Sequence, residues 1–313
     1  MGSEDDADLR SAGGASLTRR RDGVLTHRLG LLLVVFCAFG VACSPRHAAE
    51  ALLVGDHFAL TKDVAYGEPP RQRLDVYRPR GEGRLRPVVV FLYGGRWQNG
   101  SKEIYRLLGD ALTARRIVVV VPDYRFYPEV RFPAWVQDGA LAVQWTHENV
   151  RDFGGDPERI VLVGHSAGAH TVTLLALDER YLASVGVGRA VRGFVSLAGP
   201  VLTTWTDADV QALMGPPEGW PESYPVNHID GTEPPLLLLH GGADETVMAA
   251  NSVGLADKIR EQGGCARAIV YPDVGHVEIA AAFLLPSLRI APVLDDVLAF
   301  IEDPGASTCA GEK

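Results

Sequence analysis

The sequence predicts an α/β protein built on a doubly wound, mostly parallel sheet, and three observations carry that expectation. Residues 87–92 (PVVVFL), 117–121 (IVVVV), 160–163 (IVLV), 193–197 (GFVSL), 235–239 (PLLLL) and 268–271 (AIVY) are apolar runs without polar alternation. Strands read this way when helices cover both faces of their sheet. Helix-like stretches at 102–115, 134–150, 167–178, 249–262 and 286–301 lie between the runs, and the resulting βαβα alternation implies parallel strands with crossover helices. Gly164-His165-Ser166-Ala167-Gly168 directly follows one run and opens one of the helices. A serine on such a sharp strand-to-helix turn is the geometry of a nucleophile elbow, and the flanking glycines remove side chains that would collide there.

In chain order, residues 1–43 stand apart. A polar arginine-containing segment closed by Arg28 precedes the uncharged apolar stretch 29–42 (LGLLLVVFCAFGVA), which ends in small residues. This is the pattern of an export signal, and 14 residues fall short of the roughly 20 a membrane-spanning helix needs. Gly40-Val41-Ala42-Cys43 is similar to a bacterial lipobox, which makes Cys43 the candidate for lipidation and a lipid anchor at the periplasmic face of a membrane or the cell surface; cleavage after Ala42 is the alternative, with a soluble periplasmic or secreted product. Residues 44–60 read as a tether. The catalytic domain is expected over 61–313, beginning with short strands at 62–66 and 73–77 paired antiparallel at a sheet edge across Gly67-Glu68-Pro69-Pro70. Residues 125–133 form an aromatic and proline-rich loop. Residues 200–234, with Trp205, Trp220, Tyr224 and six prolines, are too long for an ordinary connection and read as a small cap or pocket wall.

The chemistry follows from the elbow. A serine hydroxyl attacks well only if a base removes its proton, and an imidazole titrating near neutrality suits that role. His276, in a glycine-containing loop after the last strand, is the candidate. Asp244, on a short loop at the carboxyl end of the 235–239 strand, would hold the imidazole in the right tautomer; Glu245 and Asp273 are its rivals by proximity. His165 and His170 read as local packing groups, and His240 as a structural hydrogen-bonding residue. Asp123, Asp138 and Asp156 read as structural.

Tyr93-Gly94-Gly95-Arg96-Trp97, Asp123-Tyr124-Arg125, Phe153-Gly154-Gly155-Asp156-Pro157, the elbow, His240-Gly241 with Asp244, and Gly275-His276 succeed one another as in the α/β-hydrolase superfamily. The set resembles its carboxylesterase branch, including hormone-sensitive-lipase-like, feruloyl-esterase-like and kynurenine-formamidase-like proteins, over about residues 62–301. The resemblance implies an α/β-hydrolase fold with a small insertion and the chain order Ser166, Asp244, His276 for a triad. It also implies an oxyanion hole from the N–H of Ala167 and the backbone of Gly94, Gly95 and Arg96. The family pattern begins His-Gly-Gly where this chain has Tyr93; a backbone donor does not depend on that side chain.

The function expected is hydrolysis of short-acyl carboxylic esters on a small molecule, through an acyl-enzyme. An amidase or formamidase of the same fold is the nearest rival, and an inactive binding module the rival of a different class. A net charge of −9 leaves no electrostatic footprint for nucleic acid. No C-x-x-C pair, H-E-x-x-H or G-x-G-x-x-G occurs, so neither metal nor organic cofactor is implied. Beyond the leader two cysteines remain, Cys265 and Cys309. Cys265 enters the last strand at the end opposite the elbow and the final helix runs back toward that end, so a disulfide between them is expected.

Overall fold

In a computed structural model, residues 58–309 are described except 82, 189 and 203. The export signal, the lipidation candidate Cys43 and residues 44–57 of the expected tether lie outside the described residues. Eight strands form one sheet in the order β1-β2-β4-β3-β5-β6-β7-β8: β1 (Phe58–Ala65), β2 (Arg73–Pro79), β3 (Arg86–Leu92), β4 (Val118–Pro122), β5 (Gly155–His165), β6 (Val191–Leu197), β7 (Leu236–Gly241) and β8 (Ala266–Tyr271). Only β2 runs against the rest, pairing antiparallel with β1 and β4. The fold class read from the sequence is borne out. Strand β1 begins at Phe58, so residues 58–60 belong to the sheet rather than to a tether.

The central strands are buried at almost every position, as their unbroken apolar runs require: Val88, Val89 and Val90 on β3, Val118–Val121 on β4 and Ile160–Val163 on β5 are at most 1% exposed. The helices that cover them are α1 (Arg106–Thr113), α2 (Ala134–Asn149), α3 (Ala167–Leu177), α4 (Glu179–Ser184), α5 (Ala208–Met214), α6 (Ala250–Glu261), α7 (His276–Leu284), α8 (Val293–Glu302) and α9 (Pro304–Cys309). Helix α3, which the elbow opens, is buried along its whole length. Among the described residues no helix is long and apolar enough to cross a membrane.

Two helical expectations are corrected. The stretch 286–301 is not one helix: a single 3-10 turn at Pro286–Leu288 ends at Arg289 in the left-handed region (φ 52°), and α8 starts only after Pro292. A proline lacks the N–H an inner turn needs and its ring strikes the carbonyl four residues back. His276, expected in a loop, is the first residue of α7, with Gly275 as its N-cap. The insertion at 200–234 contains α5 and two 3-10 segments, Pro217–Ser223 and Pro225–His228.

Candidate active site

At the carboxyl end of β5 the chain turns abruptly. Ser166 has φ 54° and ψ −120°, a conformation that costs a non-glycine residue about 1–3 kcal/mol and persists only where surrounding structure dictates it. The flanking glycines are required sterically. A Cβ at Gly164 would stand 2.4 Å from the Gly168 carbonyl oxygen, and one at Gly168 would stand 2.0 Å from that of Leu92. The turn is pinned from both sides, with Ser166 N–H donating to Leu197 O (2.9 Å) and His170 N–H to Ser166 O (3.0 Å).

The structure brings Ser166, His276 and Asp244 into one hydrogen-bonded line. His276 Nε2 lies 2.9 Å from Ser166 Oγ, and His276 Nδ1 lies 2.7 Å from Asp244 Oδ2. A carboxylate only accepts, so Nδ1 carries the proton and Nε2 faces the serine hydroxyl as an acceptor. Asp244 is 4% exposed. Burial alone would raise its pKa, but hydrogen bonds from His240, His276 and the Val247 N–H outweigh it and hold the carboxyl far below the usual range. Its Oδ1 takes the N–H groups of Thr246 (2.9 Å) and Val247 (2.8 Å). Neither rival carboxylate makes a hydrogen bond to His276 among the described residues.

Two further histidines brace this line. His240, fully buried, points Nε2–H at the Val247 carbonyl (2.8 Å) and lies 3.3 Å from Asp244 Oδ2, while its Nδ1 accepts from Ser252 Oγ (2.7 Å). It therefore fixes the loop that carries the carboxylate. His165 donates Nε2–H to the His276 carbonyl (3.0 Å). Burial, and then the neighbouring His276 charge, lower its pKa to about 3, so this brace stays neutral at working pH. The sequence marked both as structural without showing what they support.

Across from the serine lies the loop after β3. Gly95 (φ 133°) makes the turn, with Gln98 N–H and Asn99 N–H both donating to its carbonyl (3.0 and 3.1 Å); a Cβ there would stand 2.0 Å from Asn99 O. Arg96 and Trp97 follow at φ 53° and 55°. The N–H groups of Gly94, Gly95, Arg96 and Ala167 donate to no group among the described residues. Tyr93 is an anchor rather than a donor. Its ring stacks between Tyr105 (5.5 Å) and Tyr124 (4.8 Å), its hydroxyl donates to Asp123 Oδ1 (2.5 Å), and its carbonyl accepts from Tyr124 Oη (2.7 Å). The 123–125 turn is held in place by Arg125, whose guanidinium grips the fully buried Asp138 of α2 (2.6 Å).

The insertion closes on this loop. Arg96 pairs with Asp207 (2.8 Å), the N-cap of α5, and Trp205 meets Trp97 edge-on (5.8 Å). Trp205 is fixed by its indole N–H on Ser223 Oγ (2.6 Å), and His170 donates Nε2–H to Ser223 O (2.8 Å). Trp97, Trp135, Trp205 and His170 thus form one aromatic cluster beneath the loop. No sequence signal linked these four, because they come from four separate segments of the chain that only folding brings together. Asp178, Glu222 and His228 are the one trio of potential metal ligands among the described residues. Arg180 already sits between the two carboxylates (2.7 and 2.6 Å), so one guanidinium offsets part of the trio's negative charge from within.

Comparison with known proteins agrees with this fold. The prolyl oligopeptidase family model matches residues 136–304, more than half of the chain, and the BD-FAE model matches 74–189. A probable isoprenylcysteine alpha-carbonyl methylesterase of Oryza sativa subsp. japonica is 30% identical over 288 residues, 80% of this chain and 64% of the relative. Esterase LipC of Mycobacterium tuberculosis is 28% identical over 76% of this chain and 64% of its own length. The chain therefore spans just under two thirds of either relative. Among solved structures, a truncated carbohydrate esterase from gut microbiota superposes with TM-score 0.70 at 22% identity, covering 81% of this chain and 99% of that one. Esterase B of Lactobacillus rhamnosis does so with TM-score 0.68 at 18% identity, over 90% and 96%. With its single antiparallel strand, its strained elbow and these matches, the chain belongs to the prolyl oligopeptidase family within the α/β-hydrolase superfamily, in the carboxylesterase branch.

Proposed function

We propose that this protein is a serine carboxylic ester hydrolase acting on short-acyl esters through an acyl-enzyme. The observation that carries the reading is the unbroken line from Ser166 Oγ through His276 to the buried Asp244. In the first half-reaction Ser166 Oγ attacks the ester carbonyl while His276 Nε2 takes its proton. Asp244 stabilises the imidazolium that forms without itself becoming protonated. The carbonyl oxygen becomes an oxyanion, for which the N–H groups of Ala167, Gly94, Gly95 and Arg96 are the available donors; losing one such donor typically costs about 100- to 1000-fold in turnover. Collapse of the tetrahedral adduct passes the proton from His276 to the departing alcohol. Water, deprotonated by the same imidazole, then releases the acid and restores Ser166.

Preference for short acyl groups is supported by the insertion packing against the donor loop, where Trp205 meets Trp97 and is fixed by Ser223. The names of the relatives, a methylesterase and an esterase, favour ester over amide cleavage. A panel of acetyl, butyryl and longer p-nitrophenyl esters with formyl amides tests the reading. Acetyl and butyryl esters are expected to outpace long chains and amides, and Ser166→Ala to remove the activity while leaving the melting curve intact. Wild-type protein no more active than Ser166→Ala on every substrate would leave the binding-module reading standing.

Export with a lipid on Cys43 is the location proposed, resting on the apolar stretch 29–42 and its small-residue end. The Cys265–Cys309 disulfide fits an oxidising compartment. Mass spectrometry of the mature N-terminus decides between a diacylglyceryl cysteine and an unmodified end.

A further inference from the structure

The amino ends of the strands carry a second charged site. A groove of about 450 Å³ there is lined by Arg84, Arg86, Arg115, Arg116 and Arg159 with Glu302 as the one carboxylate, in a chain whose net charge is −9. Glu302 lies 3.9 Å from Arg159. Arg84 and Arg116 are exposed and make no ion pair among the described residues. The loop between β2 and β3 holds one acid in its sequence, Glu82.

Arg86 makes the groove more than a surface accident. It is 6% exposed and has no carboxylate partner among the described residues. Two of its nitrogens donate to the carbonyls of Pro79 (3.2 Å) and Gly81 (2.8 Å), and its buried Nε finds no acceptor. Buried guanidinium groups ordinarily take a carboxylate. Burial and the charges of Arg116 and Arg78 lower its pKa, so it is surrounded by like charges rather than relieved by opposite ones. Arg116 turns toward the same loop from a left-handed backbone (φ 62°); a Cβ on Gly83 would stand 3.1 Å from Arg116 Nη2 and 3.9 Å from Arg86 Nη2.

The position of the groove indicates its occupant. Strand β1 starts at this end, with Phe58 opposite Pro79 and Arg80 Nε–H donating to Phe58 O (3.2 Å). The chain preceding Phe58, which carries the lipidation candidate Cys43, thus joins the domain beside the arginines. Ser166 lies at the other end of β5. Guanidinium forks match phosphate oxygens two at a time, and five arginines lining one groove offer more charge than one small ion needs.

We propose that this arginine groove docks the domain on the phosphate headgroups of an anionic membrane, with the serine facing away from the lipid. The proposal stands apart from the hydrolytic reading. Full-length protein is tested for sedimentation with phosphatidylcholine vesicles, with and without phosphatidylglycerol. The apolar stretch 29–42 contributes to both, so the readout is the ratio. Each arginine near an anionic surface contributes about fivefold to partitioning, and Arg84→Glu with Arg116→Glu is expected to cut the preference at least about tenfold while ester hydrolysis and melting temperature hold. Three results would overturn the proposal: no preference for charged vesicles in the wild type, an undiminished preference in the double variant, or its loss on adding inorganic phosphate at matched ionic strength, which would mark a site for the free anion.

Discussion

The two ends of the sheet handle charge in opposite ways. At the carboxyl ends the buried charge beside the serine is matched: Asp244 receives two imidazoles and two backbone N–H groups, and each imidazole is itself braced. At the amino ends five arginines share one carboxylate, and the most buried of them has an orphan nitrogen. The same parallel strands support both. A matched end is preorganised and can direct a proton at one atom without rearrangement, which is what transition-state stabilisation needs. An unmatched end keeps its charge available for something outside the chain.

The comparison breaks most visibly at the relay. Asp244→Asn keeps the shape but reverses the hydrogen bond to His276, so a loss of about 10⁴-fold in kcat is expected with little change in KM, read from steady-state ester hydrolysis. The disulfide should act at the opposite end only. Cys265 immediately precedes β8 and Cys309 ends α9, and the structure joins them across 44 residues. By the chain-entropy relation, reduction should cost about 4 kcal/mol of stability, measured by denaturant unfolding, with kcat unchanged while the protein stays folded. A parallel fall in kcat below the unfolding transition would mean that the two ends are not independent.

Smaller effects sharpen the picture at the elbow. Gly168→Ala places a Cβ against the backbone of Leu92 and should destabilise the fold by up to about 3 kcal/mol, with activity falling faster than stability because the serine moves with the turn. His170, fully buried, has its pKa lowered to about 4, chiefly by burial. Between about pH 4 and 6.5 the unfolded chain binds a proton that the native imidazole refuses, so this group's contribution is present above 6.5 and lost as pH falls through the window. His170→Gln keeps a donor for Ser223 and does not titrate; the slope of stability against pH should shrink by up to about 1.4 kcal/mol per pH unit.

What the sequence made legible is local or patterned. Unbroken apolar runs identified the buried strands, and the spacing of Gly164, Ser166 and Gly168 identified the elbow because the turn tolerates few other residues. Asp244 and His276 were legible as chemical types at the carboxyl ends of strands. The break at Pro292 was visible in principle, since proline cannot continue a helix, but the apolar spacing around it argued for continuity. Helix α4, opened by the Asp178 cap, was too short for periodicity to show. The braces by His165 and His240, the Arg96–Asp207 tie and the arginine groove depend on residues brought together only by folding. Arg84, Arg116 and Arg159 form no run in the sequence.

Labelling with an alkyl fluorophosphonate reads the activation of Ser166 itself, because the reagent forms a stable bond only with a serine already activated for attack. A single adduct is expected, located at Ser166 by peptide mass spectrometry, absent in Ser166→Ala and strongly slowed in His276→Ala. Folded wild-type protein that stays unlabelled, or that carries the adduct on another residue, would contradict it.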